Sequence, residues 1–292
     1  MMKYNMQPLK PTKMNIPIIY IMLFLFLVTK GCKEKENFSR VDIEDLPLDT
    51  GGVQYPTYLD PEHAPYGYYL YLPSGYENTD MEYPLLVFLH GAGEKGNSGE
   101  DPSKLSKVLK NGPPKLIEKK EWNPPYPMVV LSPQCHDSWW IPGKVHELTR
   151  VISEELKINK QRIYLTGLSM GGFGTFSYLE YYGDTGLVAA AIPICGGGNV
   201  NKAGSLLNFP LWAFHGDADE VVDVSKSINM IEAINEMNPA LKPKLTIYPG
   251  IGHNSWSMTY DGSGMGKETP DHDSFNTSIY SWLMNHTKKR QE

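Results

Sequence analysis

The feature that most constrains this chain is the pentapeptide Gly167-Leu168-Ser169-Met170-Gly171, a G-x-S-x-G pattern. It follows Arg162-Ile163-Tyr164-Leu165-Thr166, a β-branched and aromatic run that reads as a strand. It precedes Gly172-Phe173-Gly174-Thr175-Phe176, which opens an apolar helical segment. A backbone that passes from strand to helix in so few residues must turn sharply. Gly167 and Gly171 keep that turn clear of Cβ atoms, and Gly172 adds room. Ser169 is then held at the apex with its hydroxyl projecting. Such a turn belongs at the carboxyl end of a strand in a sheet covered by helices.

The rest of the sequence agrees with that architecture. Short apolar runs at 66–72, 85–89, 128–131, 163–165, 189–194, 211–214 and 245–248 read as strands. Helical spacing appears over 145–158, where Val145, Leu148, Val151, Ile152 and Leu156 share a face, and over 171–182, 224–237 and 275–285. Residues 94–127 are a long connection bordering the site, with a short helix near 102–110. There is no internal repeat. With 41% hydrophobic and 21% charged residues, the chain can bury one good core. The expectation is a single α/β domain over 56–292, with a mostly parallel central sheet and helices on both faces.

The N-terminus reads as a targeting segment. Lys3, Lys10 and Lys13 precede the run 16–28, which is apolar except for the Tyr20 hydroxyl. At about 13 residues it is short for a membrane span and suits a signal-peptide core. Cys32 after Gly31 resembles a bacterial lipoprotein signal, in which the cysteine is lipidated; Lys30 departs from that pattern. Residues 1–31 are therefore expected to be a signal peptide of lipoprotein type, and 32–55 a polar linker. The resemblance implies an exported protein, anchored through Cys32 to a bacterial outer membrane on its periplasmic or cell-surface face, with no other membrane contact. The remaining thiols, Cys135 and Cys195, either pair or sit apart as buried thiols. A net charge of −6 without a dense Lys/Arg stripe argues against nucleic acid as a partner.

A lone serine hydroxyl is a poor nucleophile and needs a base, which needs an orienting acid. Four histidines follow Ser169. His253, in Tyr248-Pro249-Gly250-Ile251-Gly252-His253-Asn254, directly follows a strand and is the candidate base. His215 lies too near the strand end that offers the acid, and His272 and His286 are expected at the surface. The acid should come from Phe214-His215-Gly216-Asp217-Ala218-Asp219-Glu220-Val221-Val222. The pattern H-G-x-x-D-x-x-V resembles that of many α/β-hydrolases and places the role on Asp219, leaving Asp217 to cap the turn. A developing oxyanion needs two backbone N–H donors. Met170 supplies one; Ala92, in His90-Gly91-Ala92-Gly93-Glu94, is chosen for the other, with Gly91 or Gly93 as alternatives.

Further motifs add a family resemblance. Leu89-His90-Gly91-Ala92-Gly93-Glu94-Lys95-Gly96, Asn111-Gly112-Pro113-Pro114-Lys115-Leu116, Ser132-Pro133-Gln134-Cys135, Trp139-Trp140 and the Ser169 pentapeptide occur together. Over about residues 60–288 the chain resembles exported bacterial α/β-hydrolases labelled phospholipases, carboxylesterases or peptidases. That group is similar to carbohydrate esterase family 1, with its feruloyl and acetyl-xylan esterases, and to polyhydroxybutyrate depolymerase-like enzymes. The resemblance implies the α/β-hydrolase fold, ester hydrolysis through Ser169, His253 and Asp219, no metal and no organic cofactor. It implies as substrate an acylated glycan or its fragment, carrying feruloyl or acetyl groups. Trp139, Trp140 and Trp256 either pack under loops or form an aromatic wall beside the substrate. A serine peptidase is the competing reading, disfavoured because no gating domain is expected ahead of the catalytic unit. A catalytically silent binding protein is disfavoured by the intact Ser, Asp and His set.

Overall fold

The structure, a computed structural model, describes residues 43–288. The expected signal segment 1–31, Cys32 and the start of the expected linker lie outside the described residues. Among the described residues no helix is long and apolar enough to cross a membrane.

Eight strands form one sheet: β1 (Val53–Thr57), β2 (Gly67–Leu72), β3 (Tyr83–Leu89), β4 (Val129–Gln134), β5 (Ile158–Leu168), β6 (Ala190–Ile194), β7 (Trp212–Gly216) and β8 (Lys244–Tyr248). Their order is β1-β2-β4-β3-β5-β6-β7-β8. β1 and β2 run antiparallel, and every pairing from β4 to β8 is parallel. The strands are apolar along their length because both faces are covered. In β3, Leu85, Val87 and Leu89 face one core while Leu86 and Phe88 face the other. The first core takes in α2 (Pro142–Glu155), α3 (Met170–Tyr182) and α4 (Ser225–Glu236). The second takes in α1 (Gly112–Glu118), α5 (Trp256–Tyr260) and α6 (Ile279–Met284). This is the expected α/β architecture with helices on both faces.

Four details differ from the sequence reading. Residues 43–55, read as linker, belong to the fold: a 3-10 turn at Ile43–Asp45 leads to the buried Leu46. Asp49 then accepts a hydrogen bond from the Tyr71 hydroxyl at 2.7 Å, and β1 pairs along β2. The segment is polar because it lies on the sheet edge, where one side meets water. The helix expected from 145 to 158 ends at Glu155, and β5 begins at Ile158. Residues 102–110 form the expected short helix, of 3-10 type and capped by the Asp101 side chain, but an unexpected second helix, α1, follows it with proline in its first turn. The last helix begins at Ile279, because the Ser278 hydroxyl accepts from the Ser281 amide and caps it there. Phe275 instead packs its ring against Trp212, Phe214 and Tyr248.

Candidate active site

Ser169 stands between β5 and α3 with φ 51° and ψ −116°, a left-handed conformation unusual for a residue with a side chain. The neighbouring glycines explain how it is held. A Cβ on Gly171 would collide with the Leu89 carbonyl, and one on Gly167 with the Gly171 backbone. β3, β5 and α3 approach too closely at this point for any other residue type. The Ser169 amide donates to the Ile194 carbonyl at 2.9 Å, which anchors the turn to β6.

The structure brings Ser169, His253 and Asp219 together. His253 Nε2 lies 2.9 Å from Ser169 Oγ, and His253 Nδ1 lies 2.7 Å from Asp219 Oδ2. Nδ1 therefore donates to the carboxylate, and Nε2 is left to accept the serine proton. Asp219 Oδ1 accepts from the Val221 and Val222 amides, each at 2.9 Å. Burial pushes the Asp219 carboxyl up, but the hydrogen bonds from His253, Val222 and Val221 outweigh it and hold the group below the ordinary carboxylate range. Asp217 accepts instead from the Gly250 amide, so it caps the turn that carries the His253 loop.

His215, set aside from the sequence, also touches Asp219. It is fully buried, with Nε2 at 3.2 Å from Asp219 Oδ2 and 2.9 Å from the Val222 carbonyl. Its Nδ1 lies 2.8 Å from the Ser227 hydroxyl. Burial lowers its pKa against the opposing pull of Val222 and Asp219. Nε2 faces two acceptors, the Asp219 carboxylate and the Val222 carbonyl, so it carries a proton toward them, while the Ser227 hydroxyl donates to the Gly196 carbonyl at 2.9 Å. His272 and His286 are half-buried rather than exposed, and neither touches the site; His286 packs edge-on against Trp282.

The loop after β3 is fixed from beneath. His90 is fully buried; its Nδ1 donates to the Gly91 carbonyl at 2.6 Å, and its Nε2 accepts from the Cys135 amide at 2.9 Å. Burial pushes its pKa down to about 4, so it stays neutral. Trp140 is buried and donates Nε1 to the His90 carbonyl at 3.1 Å. Of the two readings for Trp140, packing and a substrate wall, its position fits packing and not the wall: its ring lies against α3, where Gly174 leaves room for it. Ala92 and Met170 both line the cleft at Ser169, whose volume is about 280 Å³; Trp139, Phe173, Val222, Ser138 and Lys95 complete it. Trp139 is 60% exposed and meets Phe173 edge-on at 6.1 Å. Trp256 packs edge-on against His253 at 5.3 Å, behind the base and outside the cleft lining. A larger concavity of about 470 Å³, between Trp122, Tyr260 and Tyr280, contains none of the reactive side chains.

Cys135 and Cys195 are both buried and free, which resolves the two readings in favour of separate thiols. Among the described residues, one cluster of potential metal ligands forms: Cys195, Asp219 and His253, with ligand atoms within 4.8 Å of one another. Burial pushes the Cys195 thiol up to about 12, whereas ligation requires the thiolate. The His253 and Asp219 atoms are already bonded to each other, so the donor set does not fit a resident ion.

Comparison with known proteins extends this description. Residues 76–261, more than half of the chain, match the model of a family described as Phospholipase/Carboxylesterase. Among solved structures, a thermostable esterase is 29% identical with a TM-score of 0.58, over 82% of this chain and 64% of that one. This chain thus spans less than two thirds of that esterase's length. The feruloyl esterase module from Clostridium thermocellum, solved with sinapinate, is 17% identical with a TM-score of 0.54, over 82% of this chain and 90% of the module. At that identity the likeness shows the fold alone. No curated protein matches the chain.

Proposed function

The chain belongs to the phospholipase/carboxylesterase family of α/β-hydrolases, and from that premise we propose that it hydrolyses carboxylic esters through a Ser169 acyl-enzyme. The observation that carries this reading is the continuous Ser169–His253–Asp219 array, with contacts of 2.9 and 2.7 Å, on a strained serine. Ser169 Oγ attacks the ester carbon while His253 Nε2 takes its proton. The Asp219 carboxylate stabilises the imidazolium that results. The Met170 and Ala92 amides receive the negative charge on the former carbonyl oxygen. Collapse breaks the ester C–O bond; the imidazolium protonates the departing alcohol and the acyl group stays on Ser169. Water then attacks the acyl-enzyme, giving its proton to His253, and a second collapse returns that proton to Ser169 Oγ and frees the acid.

For substrate, we propose acyl groups on carbohydrate, feruloyl or acetyl. The motif resemblance to carbohydrate esterases supports this. So does the exposed Trp139 beside Phe173 in the Ser169 cleft, a flat apolar surface for a phenolic or sugar ring. A lipoprotein-type leader ending at Cys32 would place the enzyme outside the cytoplasm, at an outer membrane, where polymeric glycans are met.

The experiment is a panel of phenyl acetate, methyl ferulate, acetylated xylan and chromogenic peptide amides, run on the wild type and Ser169→Ala. The wild type should turn over the esters, with kcat/KM higher for methyl ferulate or acetylated xylan than for any peptide amide. Ser169→Ala should lose about six orders of magnitude. A peptide amide preferred over every ester would install the peptidase reading. Activity on phenyl acetate alone would keep the esterase and remove the carbohydrate.

A further inference from the structure

Three of the site's neighbours are unaccounted for by that mechanism. Glu94 ends the 3-10 turn that carries Ala92, yet its carboxylate is buried. Asn111 lies far from the nucleophile in sequence, in the Asn-Gly-Pro-Pro motif. Trp256 follows the base. Their side chains join in a line. Glu94 Oε1 accepts from Asn111 Nδ2 at 2.7 Å. Asn111 Oδ1 accepts from Trp256 Nε1 at 3.2 Å. The Trp256 ring then stands at 87° to the His253 imidazole, 5.3 Å between centroids.

We propose that Glu94, Asn111 and Trp256 form a positioning arm that holds the oxyanion loop and the His253 loop at a fixed separation. The proposal rests on the Ser169 mechanism above. Ser169 is rigid by construction, since sheet and helix fix its turn. Ala92 and His253 each ride on a loop, held by His90 and by Asp217 respectively but each only on its own side of the site. The arm ties those two loops directly to each other.

Its chemistry is specific at each link. Asn111 uses its amide N–H toward Glu94 and its amide oxygen toward Trp256, so both ends fix the orientation of the group. Aspartate would set one carboxylate against another, and an apolar residue would satisfy neither neighbour. Glu94 Oε2 is buried with no partner among the described residues, so the Asn111 bond is the carboxylate's one side-chain contact there. That carboxylate sits under the oxyanion loop. A side chain on Gly91 would begin 3.2 Å from Oε2 and 3.6 Å from Ser169 Cβ. Trp256, at the other end, blocks the swing of the imidazole away from Ser169.

The test is a double-mutant cycle of Trp256→Phe and Asn111→Leu. It is read as kcat and KM on phenyl acetate and as the rate of Ser169 labelling by an aryl phosphonate. Each single variant should lower kcat and the labelling rate by about 10- to 100-fold with KM within about twofold, because misplacing a catalytic group costs rate rather than binding. The double variant should be no slower than the slower single, because either change breaks the same arm. Losses that multiply, a change confined to KM, or unchanged kcat in both singles would overturn the proposal. Should Asn111→Leu fail to fold, Trp256→Phe decides alone, since it removes the indole N–H and keeps an aromatic ring. Wild-type protein that neither hydrolyses the ester nor is labelled overturns the Ser169 reading and the arm with it. An active wild type with unaffected variants overturns the arm only.

Discussion

Acidification should destabilise this protein through His90 before it touches any carboxylate of the reactive array. In the fold His90 is neutral, donating from Nδ1 to the Gly91 carbonyl and accepting at Nε2 from the Cys135 amide. A second ring proton would meet that amide head-on. The folded pKa falls from 6.5 to about 4, while the unfolded chain keeps the ordinary value. Between those values the unfolded state binds a proton that the folded state refuses. Stability is therefore full above about pH 6.5, declines as the pH falls, and has lost this group's whole contribution near pH 4. That interval corresponds to about 3 kcal/mol. His136, His146, His215 and His286 are lowered in the same direction, so the total slope is steeper than one group gives. The assay is urea unfolding from pH 7.5 to 4, on wild type and His90→Asn. The stability advantage of the wild type should shrink by about 3 kcal/mol across that range. An advantage that stays constant with pH would refute the assignment of a neutral, excluded proton to His90.

Asp219→Asn should cost about four orders of magnitude in kcat, because its amide N–H would face His253 Nδ1 and enforce the wrong tautomer; Asp217→Asn, which alters a turn cap, should cost far less, and equal losses in steady-state kinetics would contradict the geometry. Gly171→Ala should abolish activity or soluble expression, because its Cβ collides with the Leu89 carbonyl; a folded, active variant by circular dichroism and turnover would show the turn to be loose. Trp140→Ala should lower the melting temperature through a cavity worth about 3–5 kcal/mol. Trp139→Ala should leave melting unchanged and raise KM for aryl esters, and the reverse assignment of effects would exchange the two roles.

The central strands were legible because both-face burial writes continuous apolar runs, and the Ser169 turn because only glycine fits beside it. The edge was not. β1 pairs on one side and is largely exposed, so Val53-Gln54-Tyr55-Pro56-Thr57 carries no alternation that a linker would lack. Asp219 could be separated from Asp217 by pattern, and the structure shows why the two differ: one faces the imidazole, the other a loop amide. The partnership of His215 with Asp219 was missed, because a separation of four positions on a strand-to-turn path does not announce a contact. The spacing H-x-x-x-D just after an apolar strand was the available signal. Trp139 and Trp140 are neighbours in sequence with opposite fates, and adjacent tryptophans give no hint of which is buried. The Glu94–Asn111–Trp256 line joins three segments far apart in the chain, which no local pattern reveals.

The strand order has a consequence for how the molecule is made. β8 joins the sheet through β7 alone, and its free edge is closed by residues 269–273, where the Thr269 and Asp273 amides donate to Ile247 and Leu245. The loop after β8 delivers His253. The same segment seats the turn that carries Asp219, because the Tyr248 and Ile251 carbonyls accept from the Asp217 and Ala218 amides. A chain with β8 undocked would therefore lack both a positioned His253 and the bonds that seat the Asp219 turn. Recovery of turnover during refolding should therefore coincide with protection of the β8 amides from hydrogen exchange, and turnover that returns before that protection would contradict the coupling.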